Sequence, residues 1–101
     1  MWLLALFDLP VTDKKSRRNY ARFRRGLIDD GFMMLQFSVY GRPCPNDDNV
    51  RVHTERVKSM LPPEGEVRLL ALTEMQYARM EIFLGKDLQE TEKEPDQLEF
   101  Y

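Results

Sequence analysis

Trp2-Leu3-Leu4-Ala5-Leu6-Phe7-Asp8-Leu9-Pro10 is the stretch from which the fold can be read. Its apolar run, Trp2 to Phe7, is too short for a membrane span and lacks the basic start of a signal peptide. A short apolar run closed by a turn signal suits a strand buried on both faces. Pro10 cannot donate to a sheet ladder and holds Leu9 extended, so the strand stops there. Asp8 is left at the carboxyl end of a central strand, at the mouth of a sheet. Burying a carboxylate alone is costly, so it must be solvated, paired or bound to a cation. Either Asp8 accepts hydrogen bonds from the following turn or helix cap, or it has a metal-binding or catalytic role.

The chain has 101 residues, which is one domain by size. At 43% hydrophobic and 32% charged residues it is composed like an ordinary globular protein, and wholesale disorder is not expected. A single cysteine, Cys44 in Pro43-Cys44-Pro45, rules out an internal disulfide framework and fits a reducing cytoplasm. We read it as a loop residue rather than a nucleophile. Net charge is −2, which argues against a simple nucleic-acid binder, but the charge is unevenly spread. Residues 86–101 hold two lysines against six acids, net −4, so the rest of the chain carries +2.

Residues 12–30 have a helical period. Thr12 is the expected N-cap, and Asp13 places negative charge at the positive end of the dipole. Tyr20, Phe23, Leu27 and Ile28 define one apolar face. Lys14, Arg18, Arg22 and Arg25 lie opposite, with Arg17 and Arg24 on the flank and Lys15 nearby. A charge run is ordinarily a solvated face. Here acids are nearly absent from that side, which favours a track for phosphates, with Lys14, Lys15, Arg17, Arg18, Arg22 and Arg25 as its contacts. Gly26, costly inside a helix, points to close packing, and Gly31 supplies the C-terminal cap.

Phe32 to Arg42 alternates, with Met33, Leu35, Phe37 and Val39 against Gln36, Ser38 and Tyr40. Periodicity leaves open one long strand or two short ones folded at Gln36–Ser38. Residues 43–49 read as a loop. A second helix starts near Asp48 or Asn49, with Val50, His53, Val57, Met60 and Leu61 on one face, and stops at Pro62-Pro63. His53 reads as a satisfied core residue rather than a base or ligand. Glu66 to Thr73 is a strand, Thr73-Glu74-Met75-Gln76 has the form of a capping box, and Met80 to Leu84 is apolar enough for a further strand. A polar linker follows, and Gln97 to Tyr101 alternates as a terminal strand that pairs with the partner protomer's sheet, within reach of other chains. This order predicts an α+β, ferredoxin-like βαββαβ sandwich over residues 1–85. An acidic linker and edge strand occupy residues 86–101, and a second protomer covers the open sheet face.

Several ordered segments carry a resemblance. They are Leu6-Phe7-Asp8-Leu9-Pro10, the basic run from Arg17 to Arg25, Gly31 to Tyr40, and Leu72-Thr73-Glu74-Met75-Gln76-Tyr77. Together they resemble CRISPR-associated protein 2 in the form that accompanies type II systems. The resemblance implies a ferredoxin-like fold, a homodimer formed through the sheets, and a hairpin in place of one long strand at residues 32–42. It implies a role bridging two dimers of the CRISPR integrase, CRISPR-associated protein 1, on duplex DNA during spacer capture. It also implies, for many members, a magnesium- or manganese-dependent endonuclease acting on RNA or double-stranded DNA. The family's catalytic and metal-binding aspartate, one from each protomer, falls on Asp8 alone. Two such carboxylates repel unless a cation joins them or their protonation shifts. No HxxE, DxD or HExxH pattern adds ligands, so Mg²⁺ would complete its shell with water and substrate oxygens.

Overall fold

The computed structural model describes residues 1–85. Its elements run β1 (Trp2–Asp8), α1 (Lys14–Asp29), β2 (Met33–Gln36), β3 (Val39–Pro43), α2 (Asp47–Ser59), β4 (Glu66–Leu72) and α3 (Glu74–Ala78). The four strands form an antiparallel sheet in the order β2-β3-β1-β4, with β1 central as its apolar run predicts. This is the ferredoxin-like arrangement. The terminal strand expected at 97–101 lies outside the described residues. None of the described helices is long and apolar enough to cross a membrane.

The alternation of β1 assigns its two faces. Leu3, Ala5 and Phe7 are buried beneath the helices, with Tyr20, Phe23 and Leu27 of α1 and Val57 of α2. Phe7 is the hub: Phe23 meets it edge-on at 5.2 Å, Tyr40 stacks at 5.6 Å and Tyr20 packs edge-on at 6.0 Å. Truncating such a residue costs about 3–5 kcal/mol through lost transfer energy and the cavity left behind. Gly26 lets the two helices approach, since a Cβ there would lie 2.6 Å from Met60 Sδ.

Directly paired residues on neighbouring strands share a face. The register Leu4↔Gly41, Leu4↔Leu70 and Leu6↔Val39 therefore makes the opposite sheet face apolar too. Met33 and Leu70 on that face are about half exposed. Of the described elements α3 reaches one corner of it, where Tyr77 stacks flat on Trp2 at 3.9 Å. Thr73 and Gln76 form the expected capping box of α3.

Three local expectations change, and the hairpin that the resemblance implies is found. Asp13, not Thr12, caps α1: its carboxylate accepts from the Ser16 amide at 2.7 Å, and the Ser16 hydroxyl accepts from the Asp13 amide at 3.1 Å. Residues 33–43 form a hairpin that turns at Phe37–Ser38, with Ser38 in the left-handed region at φ 62°. Ile28 and Leu61, expected on apolar helix faces, are 40% and 49% exposed. Met80 to Leu84 form no strand: Ile82, Phe83 and Leu84 are more than 70% exposed, because this chain brings no sheet edge to their backbone.

Candidate nucleic-acid interface

Each cation of α1 is positioned by the helix period. At about 100° per residue, Lys14, Lys15, Arg18, Arg22 and Arg25 fall within one arc of roughly 100°, opposite the buried Tyr20, Phe23 and Leu27. Arg17 lies on the flank, where its guanidinium donates to the Val11 carbonyl at 3.2 Å. All six side chains are exposed, and no ion pair among the described residues involves them. A face this rich in cations, with Asp29 the one acid of the helix on that side, attracts a polyanion and positions it without reading bases.

Asp8 is exposed at the end of β1, as Pro10 requires. The structure does not gather it with the cations, because the alternation of β1 places it on the open sheet face while α1 covers the other. The two approach at one end of the molecule through the short loop 9–13. Opposite Asp8 in the ladder stands Glu66, whose carboxylate accepts from Arg68 at 3.0 Å. Glu66 is absent from the sequence reading, because strand register is not written in either strand alone. Facing carboxylates in an antiparallel pair repel, and the Arg68 guanidinium on Glu66 is the cation that offsets this within the chain. The turn before β4 is held against Asp8 by Gly65, at φ 98°, where a Cβ would lie 2.8 Å from the Asp8 carbonyl. Among the described residues no group of three or more His, Cys, Asp or Glu could hold a metal ion. One chain therefore offers Asp8 and Glu66, within the habit of Mg²⁺ to take one or two carboxylates and fill its shell with water and phosphate oxygens.

A cleft of about 220 Å³ lies beside Asp8. Phe7, Leu9, Val11, Tyr20 and Phe37 line it, and Asp8 and Ser38 supply polar atoms. The hairpin tip is fixed there by the Phe7 amide, which donates to the Ser38 carbonyl at 3.1 Å.

Other charges are absorbed by the fold. Asp30, just past α1, accepts from Arg56 at 2.9 Å and lies 2.7 Å from His53 Nδ1, while Arg42 donates to its carbonyl. His53 is buried in this cluster, as a satisfied core histidine should be. Cys44 lies in a loop but is buried, its amide donating to the Met1 carbonyl at 2.7 Å.

Comparison with known proteins identifies the family and the fold. The family described as CRISPR associated protein Cas2 matches residues 1–80. A relative from Parvibaculum lavamentivorans, named CRISPR-associated endoribonuclease Cas2, is 45% identical over the full length of both chains. Proteins of the same name from Flavobacterium psychrophilum (43%, covering all of this chain and 88% of that one) and Lacticaseibacillus rhamnosus (44%, 95% of each) are similar. The crystal structure of Streptococcus pyogenes Cas2 at pH 6.5 shares the fold, with TM-score 0.63 at 17% identity over 82% of this chain and 99% of that one. With the family match spanning the whole folded unit, this chain belongs to the CRISPR-associated Cas2 family.

Proposed function

We propose that the protein is a dimeric CRISPR adaptation protein that holds duplex DNA by its backbone and bridges dimers of the CRISPR integrase, CRISPR-associated protein 1, during spacer acquisition. The observation that carries this reading is the cation face of α1, where Lys14, Lys15, Arg17, Arg18, Arg22 and Arg25 form no ion pair with a described residue. Backbone binding of this type releases counterions and does not depend on sequence. The open apolar sheet face supports the dimer: the half-exposed Met33 and Leu70, with the partly exposed Leu6 and Val39, make an apolar surface of the kind that marks protein interfaces. The outer edge of β4 is unpaired in this sheet, and the exposed Met80–Leu84 segment of a second copy could extend it. Sedimentation should show a dimer at micromolar concentration, and Leu70→Glu should yield a folded monomer. A wild-type monomer, or a variant dimer of undiminished strength, would remove the sheet-face dimer. Loss of integrase binding with loss of the dimer is expected; integrase binding by the monomer would overturn the bridging role.

A second reading, a metal-dependent endonuclease acting on RNA or double-stranded DNA, is favoured by Asp8 and by the endoribonuclease name of the relatives. Asp8, with Glu66 beside it and the second protomer's copies across the two-fold, would hold Mg²⁺ or Mn²⁺. Such an ion polarises a phosphodiester and activates water. The α1 cations would position the backbone, and the apolar cleft would limit water beside Asp8. Asp8→Asn should abolish metal-dependent cleavage while the dimer persists. Spacer acquisition that survives Asp8→Ala would assign the adaptation role to the scaffold alone.

A further inference from the structure

The exposed cation face of α1 has a counterpart in the chain's own sequence. Beyond Gly85 the acids fall on every second position: Glu90, Glu92, Glu94 and Asp96. Laid down extended, such a segment places these four carboxylates on one side at steps of about 6.6 Å, with Lys93 on the other. Pro95 is compatible with that form and not with a helix interior.

On α1, Lys14, Arg18, Arg22 and Arg25 make a row within the cation arc, at steps of about 6, 6 and 4.5 Å along the axis. The two rows agree in number, are opposite in sign, and differ in spacing by no more than long side chains can take up. Helix α1 holds seven cations against the single acid Asp29, net +6, while residues 86–101 carry −4. Basic side chains elsewhere are already paired: Arg51 with Asp48, Arg56 with Asp30, Lys58 with Glu55 and Arg68 with Glu66. Lys14, Arg18, Arg22 and Arg25 form no ion pair among the described residues, so the best-matched surface is theirs. Reach is sufficient. The sixteen residues past Gly85 span about 50 Å at full extension, against a longest molecular extent of 37 Å.

We infer that the acidic segment at residues 87–96 of this chain docks along α1 and must be displaced there by nucleic acid. The competition rests on the reading of α1 as a phosphate track, whereas the docking stands on charge and spacing alone. Exposed ion pairs are individually weak, but a tethered segment meets its site at an effective concentration on the order of millimolar. Duplex DNA, with one charge per about 1.7 Å of its axis, is denser in charge than the segment and displaces it. Short or sparsely charged anions do not.

The test compares the full-length protein with the variant Glu90→Gln, Glu92→Gln, Glu94→Gln, Asp96→Asn, which keeps chain length and residues 97–101. Amide ¹H–¹⁵N spectra at low salt should differ at the exposed positions of α1, and the difference should fade as salt screens the contact. Duplex affinity, read by fluorescence anisotropy, should rise on the order of tenfold in the variant, as expected when the segment fills about nine-tenths of the sites. Adding Arg18→Gln, Arg22→Gln and Arg25→Gln to both proteins should cut that gain to less than about twofold. Unshifted α1 amides, or shifts confined to another element, overturn the docking. A gain undiminished without the three arginines is an effect of net charge and overturns it too. Duplex binding by neither protein overturns the phosphate-track reading, while shifted α1 amides still uphold the docking.

Discussion

Two groups of cations differ in what neutralises them. Arg56 is neutralised by the Asp30 carboxylate beside His53, and Arg42 donates to the Asp30 backbone carbonyl, in a cluster that ties the end of α1 to β3 and α2. Lys14, Lys15, Arg17, Arg18, Arg22 and Arg25 are exposed on a helix whose opposite side packs into the core, and they form no ion pair with a described residue. Both groups are basic side chains on the helical layer of one small domain. The first contributes to folding, because Asp30 is 93% shielded and would be costly if left alone. The second contributes little to folding, and is thereby free to meet an external polyanion.

The largest effect should come from breaking the first group. Asp30→Ala leaves His53 and Arg56 without their carboxylate, while Arg42 keeps the backbone carbonyl, and should destabilise by the lower end of about 3–5 kcal/mol, since Arg56 remains largely solvated. Urea unfolding measures it, and a loss under 1 kcal/mol would place the cluster among ordinary surface pairs. The counterpart is replacement of Arg17, Arg18 and Arg22 by Gln. Stability should move by no more than about 0.5 kcal/mol for each substitution, while binding to all duplexes weakens alike. Sequence-selective loss would contradict backbone recognition.

A smaller effect separates the ends of α1. The Ser16 amide, and then its hydroxyl, hold the Asp13 carboxyl below its ordinary value of 3.8. The folded value is thus lower than the unfolded one, so the ionised cap stabilises fully above about pH 4 and loses its effect as pH falls through the folded value. Asp13→Ser, a cap that does not titrate, should flatten the acid limb of the stability curve between pH 4 and pH 2. An unchanged limb would remove Asp13 from it. The smallest effect is expected at Gly26→Ala. The gain of about 1 kcal/mol in helix propensity is offset by the shift forced on Met60, whose flexible end can move. Thermal unfolding should stay within a few degrees of wild type, and a collapse would show that the helices cannot separate there.

What could be read from the sequence was local. The β1 run closed by Pro10, the capping box at Thr73 and the misplaced-looking Gly26 each carry their reason within a few residues, and each was found as expected. The cation face of α1 was legible for the same reason, since helical period alone separates it from the core. Thr12 and Asp13 could both cap a helix, and the choice fell to Asp13 because Ser16 completes a reciprocal bond. The turn at Gln36–Ser38 was one of two readings that periodicity left open, because continuous alternation runs through it and no glycine marks the positive φ of Ser38; the resemblance chose it. Glu66 opposite Asp8, and the Phe37 ring beside it, were invisible because pairing register and hairpin geometry arise only between segments distant in sequence. Apolar content marked Met80–Leu84 as a strand, but a strand needs an edge that this chain does not bring to it.

The most direct test of the account is the salt dependence of duplex DNA binding by the dimer. Plotted as log K against log salt, wild type should give a steep line, and the Arg17, Arg18 and Arg22 to Gln variant should lose up to about 2.7 from its slope for each protomer in contact with the duplex, near 0.9 for each phosphate contact removed. An identical slope and affinity in the two proteins would leave α1 a solvated face and contradict the account.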